Sequence, residues 1–310
     1  MRSHSVRARG LASLVLLMLA PATAPGGGGF TPADDWCDYN GWGEPAWSPD
    51  GARLASIVWW IHVPSYFLEM GLETWSPDGG GNSSCFLYSA QSRPAWSPDR
   101  REIAFSQGSV LVAVPADSCT YPDFRTIVQA SNPINEPAWS PDGTRIAFRQ
   151  SGDIAVAPAA GGVYQPLVSG AGVDAQPAWS PDGSALAFAS NRDGSFHIYI
   201  APAAGGEARQ LTTGPANDTW PTWSPDGRYL AFASDRSGGT HVWSAPVAGG
   251  TPVQVTSGGD TETAPVWSPD GTRIAFLSIV GNCSSVSTQS DLRVVRVAPV
   301  SWSTLKGLYR

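Results

Sequence analysis

The stretch QPAWSPDGSALAFASNRDGSFHIYIAPAAGG, residues 176–206, decides the architecture. It reads as a short apolar segment ending in Trp179, a Ser-Pro-Asp-Gly turn, a second apolar segment, a polar loop and a third apolar segment. In such a turn proline presets φ, aspartate bonds the backbone two residues on, and glycine tolerates φ > 0. The counterpart EPAWSPDGTRIAFRQSGDIAVAPAAGG at 136–162 shows what surrounds the second segment. Side chains alternate in an extended chain, so Ile146 and Phe148 point to one side and Ala147 to the other. Both sides are apolar, which predicts a strand buried between two neighbouring sheets.

Outward from these units, Trp-Ser-Pro-Asp occurs seven times, at Trp47, Trp75, Trp96, Trp139, Trp179, Trp223 and Trp267. Without Trp75 the gaps are 49, 43, 40, 44 and 44 residues, the length of a four-stranded propeller blade. The expectation is an all-β, six-bladed β-propeller of four-stranded antiparallel blades. The Trp75 copy lies 21 residues before Trp96; it reads as decoration of the first unit, with a truncated seventh blade as the alternative. Abundant turns and large apolar side chains fit this class: 34 Gly, 27 Pro and 14 Trp stand against 15% charged residues.

The amino terminus reads as a secretory leader. Arg2, Arg7 and Arg9 precede an apolar run at 11–20, and Ala20-Pro21-Ala22 offers a small-x-small cleavage site. The run is short for crossing a hydrocarbon core of about 30 Å, so a cleaved leader is favoured over a signal anchor. The expected organisation is a signal peptide at 1–22, a flexible leading segment at 23–34 and one propeller domain at 35–310. Export to the periplasm or the medium follows, with no membrane span after cleavage. Loss of the three arginines takes the formal charge from −7 to −10. An acidic chain repels phosphate backbones, which excludes nucleic acid and leaves protein partners, small ligands and glycans.

The repeated motif resembles the WD40-like PD40 repeats of TolB-type β-propellers, whose units read approximately WSPDGxxIAFxSxxxGxxxIYVxxxxGGxxxxLT. The resemblance runs from about Glu44 to Pro299. It implies that the Trp strand lines a central channel and that a strand from the other end of the chain completes the last blade, here residues 35–41. It also implies that the loops before the Trp strands surround one channel mouth.

Four cysteines, Cys37, Cys85, Cys119 and Cys283, form an even set in a chain that reads as exported, so disulfides are expected. Three pairings are open. Cys37 with Cys283 would staple the closing seam, leaving Cys85 with Cys119. His197 and His241 each lie 18 residues after their Trp; a two-histidine metal site competes with the plainer reading of a repeated strand position. Asn191-Arg192-Asp193 and Asp235-Arg236 read as loop braces. No GxSxG, HExxH or phosphate-binding loop occurs, and no catalytic constellation is visible.

Just before the Trp strands stand Glu44, Glu136, Asp174, Asp218, Asp260 and Glu262, with Asn217 and Trp220 beside them. Read as one channel-mouth rim they would bind a cation, a basic peptide or a sugar; read plainly they are acids in the polar loops of an acidic protein. If they form a rim, neutralising Glu136, Asp174 and Asp218 together should weaken binding and leave stability nearly unchanged. The functional expectation is an exported, non-catalytic scaffold for protein or ligand binding, without a cofactor. The alternative is a propeller enzyme of polysaccharide lyase or lactone hydrolase type, with a divalent cation at the channel mouth. A structural envelope component is the third reading.

Overall fold

A computed structural model describes residues 39–42, 44–62, 67–75, 82–86, 92–117, 124–280 and 289–296. The expected signal peptide, the segment at 23–34, Cys37, Cys119 and Cys283 lie outside the described residues, and with them the disulfide pairings.

Strand follows strand in antiparallel sheets. The first sheet contains β1 (Tyr39–Trp42), β2 (Ala46–Trp47), β3 (Leu54–His62), β4 (Phe67–Trp75) and β5 (Asn82–Phe86). The first blade holds β6 (Ala95–Trp96), β7 (Glu102–Gln107), β8 (Val110–Pro115) and β9 (Arg125–Gln129). The second holds β10 (Ile134–Trp139), β11 (Arg145–Gln150), β12 (Asp153–Pro158) and β13 (Gln165–Val168). In the third are β14 (Asp174–Trp179), β15 (Ala185–Ser190), β16 (His197–Pro202) and β17 (Arg209–Gln210), and in the fourth β18 (Asp218–Trp223), β19 (Tyr229–Ser234), β20 (His241–Pro246) and β21 (Val253–Gln254). The fifth comprises β22 (Thr261–Trp267), β23 (Arg273–Val280) and β24 (Gln289–Arg296).

The all-β propeller architecture is as expected, but the blade number is corrected. Five blades of three or four strands form, not six and not seven. The sheet at the amino-terminal end does not take the four-stranded form: it has five strands, with β1 and β2 both paired along β3. Its β3 and β4 are nine residues each against six in β15 and β16. The tryptophan of the extra Trp-Ser-Pro-Asp copy falls in that long hairpin. Trp75 ends β4, opposite Leu54 on one side and Asn82 on the other, so it starts no blade. The expected closing strand is corrected too: its described part, 39–41, pairs with β3 and not with the last blade.

The core lies between sheets, as the apolar pattern requires. Ile146 and Phe148 pack back against Ala104, Leu111 and Ala113 of the first blade, while Ala147 meets Leu186 and Phe188 of the third. A large face of one blade thus meets a small face of its neighbour. Phe105, Phe148, Phe188 and Phe232 are fully buried at matching positions, each contributing roughly 1.5–3 kcal/mol of hydrophobic stabilisation.

Four of the Trp side chains link sheet to sheet. Trp179 Nε1 donates to Ala138 O at 3.1 Å, Trp223 Nε1 to Ala178 O at 3.0 Å and Trp96 Nε1 to Ala46 O at 3.2 Å. Trp47 Nε1 donates to Val266 O at 3.2 Å, joining the first sheet to the last blade. Side chains and turns therefore close the ring.

Candidate binding site at the channel mouth

Six innermost segments share one frame, a residue followed by Pro, a small residue and Trp: Glu44-Pro45, Arg93-Pro94, Glu136-Pro137, Gln176-Pro177, Trp220-Pro221 and Ala264-Pro265. Proline has no N–H for the ladder, so the pairing breaks there. The register shifts between Asn135 and Ala138, Ala175 and Ala178, Thr219 and Thr222, and Thr263 and Val266. Bulges of this kind re-aim side chains. In four of the six segments the residue before the proline takes a left-handed conformation, with φ of 56° at Glu136, 58° at Gln176, 56° at Trp220 and 49° at Ala264. Left-handed non-glycine residues are strained, and such strain collects at functional sites.

Of the residues before the prolines, Arg93, Glu136, Gln176 and Trp220 line one cavity of about 180 Å³, together with alanines of the Trp strands. A side-chain relay holds the wall. Glu136 Oε2 accepts from Gln176 N at 2.7 Å and lies 3.2 Å from Arg149 Nε, and Gln176 Oε1 accepts from Trp220 N at 2.8 Å. Burial raises the Glu44 and Glu136 carboxyls above the ordinary carboxylate range, opposed by the charge of Arg93 at both and by Arg149 at Glu136. Burial lowers the Arg93 guanidinium, and the two carboxylates oppose that shift. The cavity wall thus combines charged and amide groups with Trp220 beside them.

The remaining acids of the expected rim sit elsewhere. Asp174 and Asp218 are 1% and 0% exposed at the starts of β14 and β18. Each faces an arginine of its own blade, Arg192 at 2.8 Å and Arg236 at 2.6 Å. The arginines also cover aromatic rings: Arg192 lies 4.8 Å from the Tyr199 centroid and Arg236 5.1 Å from that of Trp243. Glu262 is buried beside His241 Nδ1, at 2.9 Å, and accepts from Thr256 Oγ1. Asp260 accepts from Ser278 Oγ at 3.3 Å, and Asn217 is bonded to Asp235. The structure brings Glu44, Glu136 and Trp220 together with Arg93 and Gln176, which the sequence reading passed over. The signal for them was the shared Pro-small-Trp frame.

His197 and His241 stand in successive blades, each against an acid of the following blade. Among the described residues no group of three or more His, Cys, Asp or Glu could hold a metal ion. No described helix is long and apolar enough to cross a membrane.

Fold and channel together define a β-propeller of repeated Trp-Ser-Pro-Asp units. A family model for the TolB beta propeller domain matches residues 121–300, more than half of the chain, and the chain belongs to that family. Among solved structures, TolB from Acinetobacter baumannii is similar at 21% identity with a TM-score of 0.62, covering 79% of this chain and 67% of that one. A TolB-type protein from Agrobacterium tumefaciens is similar at 23% identity with a TM-score of 0.59, covering 69% and 83%. A Mycobacterium tuberculosis puromycin-hydrolyzing peptidase is similar at 18% identity with a TM-score of 0.57, covering 84% of this chain and 44% of the peptidase. The search of curated proteins found no match.

Proposed function

We propose that this chain is an exported, non-catalytic interaction scaffold that receives a segment of a partner protein at its channel mouth. The observation behind this is the left-handed backbone at Glu136, Gln176 and Trp220, each before a proline, with all three residues lining one cavity. Loops on a rigid scaffold commonly serve recognition, and a wall that combines Trp220 with charged and amide groups suits a polypeptide segment carrying both apolar and polar groups. The leader pattern at 1–22 supports export.

The test is capture from an envelope fraction on immobilised wild-type protein and on Trp220→Ala, with thermal melting to confirm that both are folded. A polypeptide held by the wild type and lost by the variant is the expected result. A partner held equally by both would place recognition elsewhere and overturn the proposal.

A further inference from the structure

His197 and His241 begin β16 and β20, one blade apart, and the acids that face them differ by one methylene. Between the fourth and fifth blades, Glu262 Oε2 lies 2.9 Å from His241 Nδ1 and also accepts from Thr256 Oγ1. Thr256 Oγ1 in turn accepts from Val242 N at 2.9 Å. Between the third and fourth blades the matching residues are His197, Asp218 and Thr212. Thr212 Oγ1 accepts from Ile198 N, again at 2.9 Å, so its hydroxyl is placed in the same way.

The acid is what changes. Aspartate is shorter than glutamate, and Asp218 Oδ1 is held by Arg236 at 2.6 Å. Asp218 Oδ2 stands 3.9 Å from His197 Nδ1, and both atoms are buried without a hydrogen-bond partner. At that separation they form no direct hydrogen bond. Leaving a buried carboxylate oxygen and an imidazole nitrogen unsatisfied is costly, and native structures rarely do so. A separation of 3.9 Å is one that a single water spans with two bonds of about 2.8 Å.

We infer a water-binding site between the third and fourth blades, with His197 Nδ1, Asp218 Oδ2 and Thr212 Oγ1 as its partners. The water oxygen takes the position that Glu262 Oε2 occupies one blade further on. It accepts from the Thr212 hydroxyl, donates to Asp218 Oδ2 and shares a hydrogen bond with His197 Nδ1 whose direction follows the imidazole tautomer. Three partners is the usual number for a buried water. The two blade junctions thus build one polar bridge by different means, a long acid at one and a short acid plus water at the other.

High-resolution crystal structures of the wild type, Asp218→Glu and Glu262→Asp test this. The wild type should hold one ordered water within hydrogen-bond distance of all three partners. Asp218→Glu should replace that water with its own carboxylate oxygen, and Glu262→Asp should acquire a second water beside His241 and Thr256. If the altered contact to Arg236 stops Asp218→Glu from folding, Glu262→Asp still decides, because Val280 stands at the position matching Arg236 there. A direct His197–Asp218 bond without solvent would overturn the inference, and so would anomalous scattering from a metal ion at the site.

Discussion

The Ser-Pro-Asp turns show how much one residue does. Ser140 Oγ accepts from Arg145 N at 2.9 Å and donates to Asp142 Oδ1 at 2.5 Å, and the same oxygen accepts from Thr144 N at 3.0 Å. Equivalent bonds recur around Asp50, Asp182 and Asp270. The serine hydroxyl leads in holding these carboxyls near their ionised form, each at about 2. A depressed folded-state value stabilises the fold above the ordinary carboxylate value and loses that contribution as pH falls through the folded one. Unfolding midpoints should therefore decline between about pH 4 and pH 2, and Asp142→Asn should flatten part of that decline in a pH series of melts. Buried acids obey another rule. Asp218→Asn leaves Arg236 without its charge partner and should lower stability by about 3 kcal/mol in denaturant titration. Neutralising Glu136, Asp174 and Asp218 together, which the sequence reading expected to leave stability intact, should therefore destabilise the fold.

At the level of the strand and its turn, packing sets the tolerances. β15 places Leu186 and Phe188 on one face and Ala187 on the other, all fully buried. Phe188→Ala should cost about 3–5 kcal/mol, read by urea denaturation. In the turn before it Gly183 has φ of +70°, and an added Cβ would stand 3.3 Å from Pro141 Cγ of the preceding blade. Gly183→Ala should cost about 1–2 kcal/mol from the left-handed backbone. Gly205, at φ of +86° with open space around it, should show the backbone cost alone when changed to alanine.

For the whole ring the decisive place is the junction of the first sheet with the fifth blade. Trp47, 7% exposed, bonds Val266 O, receives Arg273 over its ring at 5.0 Å, and stands near the contact of Gly51 with Pro269. An opened junction exposes two packed faces, so Trp47→Ala should cost about 3–5 kcal/mol. Hydrogen exchange should rise first in β22 and β23 while β15 and β16 stay protected. The sequence by itself determined the repeat unit, the strand order within each blade and burial on both strand faces, because a turn motif and a two-residue alternation are local properties. It also named Glu44, Glu136 and Trp220. It could not assign Asp174, Asp218 and Glu262 to arginine and histidine partners, since those meet across strands and blades. Gln176 enters the cavity wall where the bulge between Ala175 and Ala178 interrupts the strand pairing, and Arg93 joins it from the segment before β6. Blade number was likewise decided by tertiary structure. The first Trp unit contains the same motif as the others, but its long hairpin and the β1–β3 pairing arise from contacts that the motif does not encode.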